Sequence, residues 1–291
     1  MAEQQDALTP PLDQTFVLGD TISKAQREFL DRYGFLHFKG VANSVEVGVI
    51  LEELDRVEAK WLSEGRKFVC GIPLYWGRDG DGRPFLQRFA FTSRFSTRIS
   101  EFIRDPRFEP VRKLVGEDAR VGEDEKDGVV VNRYLNVRQS AYKRLGWHTD
   151  GLRDLFYLRM PQEMLNVGLH LDECTRFDGG LRLLPGTHRQ GFWDMCFNKL
   201  YFLSHGEDPE EICVETSPGD LTIHDGRLWH RVASSEKEPG QTLRRTMFVP
   251  YLTGPYEPKD DESRTPGYHH LGRLGRFIKR GLNAGGNSKK S

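Results

Sequence analysis

The chain has 291 residues, and its 42 Lys and Arg balance 43 Asp and Glu to a net charge of −1, so no global field recruits nucleic acid or an anionic membrane. An apolar content of 37% and a mean hydropathy of −0.59 suit a soluble globular enzyme with one large core, and no apolar run reaches membrane-spanning length. Cys70, Cys174, Cys196 and Cys213 are scattered without a CxxC pair, which argues for reduced thiols and against a disulfide framework or zinc site.

Met1 to Asp13 carries no basic-then-apolar signal, and a cytoplasmic protein is expected. Residues 1–20, with Pro10-Pro11, predict a loose arm. Thr21 to Tyr33 predicts a helix that Thr21 or Ser23 can cap and that Gly34 stops. Phe35-Leu36-His37-Phe38 predicts a short strand, with His37 facing solvent or a neighbour and given no ligand role. Val45 to Leu62 predicts a second helix from the spacing of Val49, Ile50, Leu51, Leu54, Val57 and Trp61. Residues 66–97 read as irregular and aromatic, a stretch that walls a pocket or merely packs on the core. Within it Asp79-Gly80-Asp81-Gly82 is a plain turn, because Arg83 stands where a calcium loop needs a ligand. Phe102 to Leu114 predicts a helix and Gly116 to Asp127 a charged loop.

Val129-Val130-Val131 opens a buried strand on which Asn132, Tyr134 and Asn136 share one face. Facing inward they form a hydrogen-bonding pocket, since buried polar groups are expensive without partners; facing outward they are simply solvated. His148 and Asp150 close the next strand two residues apart, so alternation sends both to one side. A third ligand comes from Gly219 to His230. His224 precedes Asp225-Gly226, where the backbone is expected to turn outward, whereas His230 opens a strand beside Trp229; His230 is the expected ligand. Two histidines and one carboxylate form the facial triad of non-haem Fe(II) oxygenases.

Met164 to Glu173 predicts a strand carrying His170 as a partnered wall residue. Asp178 to His188 predicts turn, strand and turn, with His188 structural. Residues 189–211, rich in aromatic and acidic side chains, are long enough to predict a lid. Leu243 to Val249 opens with Arg244-Arg245, only one of which can face inward and take an anionic partner; Arg244 is the expected anchor and Arg245 the reserve. From residue 253 the chain predicts an extension with an apolar stripe (Leu271, Leu274, Phe277, Ile278, Leu282) among basic residues and a disordered end.

Trp147-His148-Thr149-Asp150, Gly179-Gly180-Leu181 through Pro185-Gly186-Thr187-His188, and Gly219-Asp220 leading to Trp229-His230 resemble the phytanoyl-CoA hydroxylase-like family of Fe(II)/2-oxoglutarate dioxygenases. The Arg244 strand and Tyr33-Gly34-Phe35 extend the resemblance over most of residues 20–252. It implies a mainly β fold with flanking α-helices, a double-stranded β-helix or jelly roll, as one domain over 21–252. It implies iron on His148, Asp150 and His230, 2-oxoglutarate anchored by Arg244 with Asn132 as a further contact, O₂ as co-reactant, and release of succinate and CO₂. Asp150 implies hydroxylation or a related oxidation, because halogenating relatives have a small residue there. Tyr134 and Trp147 are the expected cavity walls around a small-molecule substrate. Two rival readings remain, a cupin-like metal isomerase or lyase without 2-oxoglutarate, and a non-catalytic jelly-roll binding protein. Nucleic-acid demethylation is disfavoured by the near-neutral charge. Oligomeric state is not legible.

Overall fold

The computed structural model describes residues 10–137, 140, 143–156, 158–240 and 242–266. The stripe expected over Leu271 to Leu282 lies outside them. Within the expected N-terminal arm, Phe16 is pinned to the first strand by backbone bonds to His37 and Lys39. Ser23 caps α1 (Lys24–Tyr33) in a reciprocal capping box with Gln26. Gly34 ends it at φ 80°, and a Cβ there would lie 2.5 Å from His188 Nδ1, so both backbone and space demand glycine. After β1 (Phe35–Phe38), Asn43 caps α2 (Ser44–Ser63), which buries Val47, Ile50, Leu54, Val57 and Trp61.

Residues 66–97 are not irregular. They form β2 (Phe68–Val69), β3 (Ile72–Pro73), β4 (Tyr75–Arg78) and β5 (Pro84–Phe89). β4 and β5 make a hairpin around the expected turn, in which Asp79 Oδ1 accepts from the amides of Asp81 and Arg83. Phe85 and Leu86 are both buried on β5, so apolar side chains occupy both faces and the period-two signal is lost. The single helix expected over Phe102 to Leu114 is two: α3 (Thr97–Ile103) and α4 (Glu109–Val115). Pro106 and Pro110 each fit only a first turn, and they divide it.

The rest of the chain supplies β6 (Arg120–Val121), β7 (Val130–Leu135), β8 (Leu145–His148), α5 (Leu152–Phe156) and β9 (Met164–His170). It continues with β10 (Gly180–Leu183), α6 (Phe192–Phe197), β11 (Ile212–Cys213), β12 (Leu221–Asp225), β13 (His230–Ala233) and β14 (Leu243–Leu252). An eight-stranded antiparallel sheet runs β1-β12-β9-β14-β7-β5-β4, with β6 on β14, and a four-stranded one runs β11-β10-β13-β8. This is a mainly β double-stranded β-helix, a jelly roll flanked by N-terminal helices.

Alternation along three central strands divides the molecule. Leu165, Val167, Leu169, Leu221, Ile223, Met247 and Val249 join the side chains of α1 to α4 in the main apolar core. Residues of opposite parity on the same strands, Asn166, His224 and Arg244, instead meet groups of the smaller sheet and its continuation. One face of the large sheet therefore carries the stability and the other forms a polar chamber. All four cysteines are free, and no helix among the described residues is long and apolar enough to cross a membrane.

Candidate active site

β8 and β13 pair with His148 directly opposite His230, and their rings stand 4.1 Å apart between centroids. Asp150 lies just past the end of β8, where its amide donates to Gly226 O at 2.8 Å. The ligand atoms of His148, Asp150 and His230 all fall within 4.8 Å of one another. His148 Nδ1 donates to Gly146 O and His230 Nδ1 to Leu228 O, each at 2.9 Å. A carbonyl only accepts, so the proton is on Nδ1 in both rings and Nε2 keeps its lone pair. Burial lowers the pKa of both imidazoles, for His230 well below its ordinary value with His148 adding to the effect, so both are neutral as ligands must be. Burial alone would raise the Asp150 pKa, but His230 beside it and the hydrogen bond from His224 hold the carboxyl well below its usual range. Two neutral imidazole nitrogens and one carboxylate in this arrangement fit a divalent first-row ion, iron included.

His224 does not turn outward. The chain bends only after Asp225, so alternation from Thr222 carries His224 to the inner face, where it is fully buried. Its Nε2 lies 3.3 Å from Asp150 Oδ2, and its ring centroid is 4.5 Å from that of His230. Asn166 Nδ2 donates to the same Oδ2 at 3.1 Å. Reasoning from sequence weighed His224 only as a rival third ligand and gave Asn166 no role. The available signal was parity, because Asn166 shares the strand face of His170 and His224 that of Thr222.

Arg244 and Arg245 take opposite faces of β14. Arg245 is clamped by Asp172 through bonds of 2.8 and 2.6 Å. Arg244 is buried, donates at 3.2 Å to the carbonyls of Ala233 and Lys143, and keeps an Nε without a partner among the described residues. Desolvation lowers its pKa, yet a guanidinium stays charged. A buried cation with a free N–H and no ion-pair partner among the described residues has the chemistry that suits a carboxylate. Tyr134 pairs with Arg244 across the strands, its ring 5.3 Å from the guanidinium and its phenol pushed up to about 12 by burial. Asn132 stands opposite Thr246, on the strand face that also carries Tyr134. Tyr134, His170, Arg244, Thr246 and Phe248 line one cavity. His170 is tied to Thr222 at 3.0 Å and to Thr246 at 3.4 Å, as a wall residue is. Asn136 donates instead to the carbonyls of Lys237 and Glu238 and does not join the chamber.

Trp147 corrects an expectation. It precedes His148 on β8, so the alternation that turns His148 inward turns Trp147 out of the cavity. It is fully buried with Leu184, Trp229 and Tyr201 beneath residues 199–211, and its Nε1 donates to Gly206 O at 2.9 Å. That expected lid contains α6 and then runs along β8: Phe202 N donates to Trp147 O and Trp147 N to Ser204 O, both at 2.9 Å. Tyr201 shares a 2.7 Å hydrogen bond with Thr149, and the Phe202 ring lies 5.0 Å from that of His148. Trp193 and Phe197 stack at 6.0 Å and are exposed, as are Phe156, Leu158 and Met160 after the metal strand.

The family model described as phytanoyl-CoA dioxygenase (PhyH) matches residues 30–237. A probable alpha-ketoglutarate-dependent hypophosphite dioxygenase from Stutzerimonas stutzeri is 23% identical over 241 residues, covering 78% of this chain and 77% of that protein. Among solved structures, HygX from Streptomyces hygroscopicus, with nickel and 2-oxoglutarate bound, gives a TM-score of 0.59 at 18% identity and covers 82% of this chain and 90% of its own. SnoK, a non-heme alpha-ketoglutarate-dependent carbocyclase from nogalamycin biosynthesis, gives 0.58 at 16%, covering 89% and 93%. At such identities the two structures speak for the fold.

Proposed function

The chain belongs to the phytanoyl-CoA dioxygenase (PhyH) family of iron- and 2-oxoglutarate-dependent enzymes, and from that premise we propose that it oxidises, by hydroxylation, an unactivated C–H bond of a small molecule. The observation that carries this reading is a division of labour on one interior face. His148, Asp150 and His230 supply a compact donor set, and Arg244 waits, buried and charged, without a carboxylate of its own.

Iron, when bound with 2-oxoglutarate, supplies O₂ activation coupled to release of succinate and CO₂. The chain's own part is positioning. Nε2 of His148, Nε2 of His230 and Asp150 would hold the ion. Arg244, whose Nε has no partner among the described residues, would take the distal carboxylate of 2-oxoglutarate, with Asn132 and Tyr134 on the facing strand. The bonded set His170, Thr222 and Thr246 keeps the wall between them rigid. Tyr201 and Phe202 shield the His148 side from water. The exposed apolar side chains within 193–203, together with Phe156, Leu158 and Met160, suit a substrate with an apolar body, a secondary-metabolite or acyl/carboxylate-type compound.

The reading is tested by supplying Fe(II), 2-oxoglutarate and air and measuring succinate, first without substrate and then with candidate compounds. Slow succinate release that a true substrate accelerates supports it. Succinate at the level of a His148→Ala control would sink it. A cupin-like isomerase or lyase would retain its activity in Arg244→Ala, whereas the oxygenase loses affinity for 2-oxoglutarate.

A further inference from the structure

The two histidines of the donor set are strapped by carbonyls of their own chain segments through Nδ1. Asp150 stands past the end of β8, and its side chain has no such strap. What it has instead comes from the large sheet. His224 on β12 and Asn166 on β9 are directly opposed in register, so both side chains leave adjacent strands at one level and reach one atom, Asp150 Oδ2, at 3.3 and 3.1 Å. The other oxygen, Oδ1, lies 3.8 Å from His230 Nε2.

We propose that His224 and Asn166 are a positioning pair that holds Asp150 by Oδ2 and so leaves Oδ1 as the oxygen offered to the metal. A carboxylate with both oxygens free can rotate, chelate through both, or turn to solvent; two donors on one oxygen remove those options. Donation to a carboxylate requires the proton of His224 on Nε2. Its Nδ1 is buried and has no partner among the described residues. A histidine kept only for packing would gain by satisfying that atom, and this one is oriented for Asp150 instead. Neither residue is placed to touch substrate in this role; each acts through Asp150.

This inference rests on the reading of His148, Asp150 and His230 as metal ligands, and isothermal titration of metal-free protein with Ni(II) separates the two. Wild type, Asp150→Ala, His224→Leu, His224→Gln and Asn166→Ala are compared, with circular dichroism and melting of the metal-free forms as fold controls. His224→Leu and Asn166→Ala are expected to bind Ni(II) roughly 10- to 100-fold more weakly, the range for lost outer-shell partners. His224→Gln, which keeps an N–H donor, is expected to recover most of that loss. The visible spectrum of the Co(II)-substituted protein is expected to change in His224→Leu and not in His224→Gln. If His224→Leu does not fold, Asn166→Ala and His224→Gln decide. Wild-type affinity in both Asn166→Ala and His224→Leu, alongside lost binding in Asp150→Ala, would overturn the positioning pair and leave the metal site standing. Equal losses in His224→Gln and His224→Leu would also overturn it, and no Ni(II) binding by wild type would overturn both.

Discussion

Arg244 and Arg245 are neighbours in the chain with opposite partners: Arg245 is neutralised by Asp172 on one face of β14, and Arg244 is buried on the other beside two backbone carbonyls, the Tyr134 ring and the Cys174 thiol. Alternation along a strand is enough to separate an ion-paired arginine from a buried one without an ion pair among the described residues.

Substituting the two arginines therefore has different consequences. Arg244→Ala removes charge-assisted bonds worth about 2–3 kcal/mol, or roughly 30- to 150-fold in Kd for 2-oxoglutarate. Arg245→Ala breaks a partly exposed ion pair, so 2-oxoglutarate affinity is expected to stay unchanged and stability to fall by no more than about 1 kcal/mol. Titration of 2-oxoglutarate into the metal-loaded variants checks both.

Trp147 and Phe202 also part company. Trp147→Ala empties a fully buried site outside the chamber and is expected to cost about 3–5 kcal/mol of stability. Trp147→Phe, which keeps most of the packing, should leave 2-oxoglutarate affinity intact. Phe202→Ala removes a partly exposed ring over His148, so thermal stability should change little while succinate release in the absence of substrate rises. Melting curves and succinate assays distinguish these outcomes.

Burial depresses His170 to about 3, with His37 nearby adding to the shift. The unfolded histidine titrates near pH 6.5, so the folded state binds fewer protons below that point. Its contribution to stability is complete above about pH 6.5 and is lost progressively as the pH falls toward 3. His170→Gln is expected to flatten the fall of melting temperature between about pH 6 and 4 by the slope of one proton. An unchanged slope would place the proton uptake elsewhere.

Much of this was legible in the sequence, for identifiable reasons. Ser23 and Gly34 mark the ends of α1 by local chemistry, and the Val129-Val130-Val131 run marks β7. His148 and Asp150 do come together, as their two-residue spacing suggested, although the strand ends at His148 and Asp150 lies beyond it. The failures came where local pattern gives out. Phe85 and Leu86 are buried on both faces of β5 and erased the alternation that would have marked the hairpin. His224 was sent outward because Asp225-Gly226 looked like the turn, whereas the strand runs through Asp225. Its contact with Asp150 spans 74 positions in sequence, and no local signal reports a contact made by folding. Trp147 shows a different error: it adjoins His148 in the chain, but alternation turns its side chain to the opposite face.

The most direct test of the central claim is an anaerobic titration of metal-free protein with Fe(II) and then 2-oxoglutarate, followed in the visible. A weak charge-transfer band of a chelated keto acid is expected in wild type, absent in His148→Ala and requiring far more 2-oxoglutarate in Arg244→Ala. Iron binding without any band would contradict 2-oxoglutarate as cosubstrate and favour a cupin-like enzyme, and absence of iron binding would contradict the proposed metal site itself.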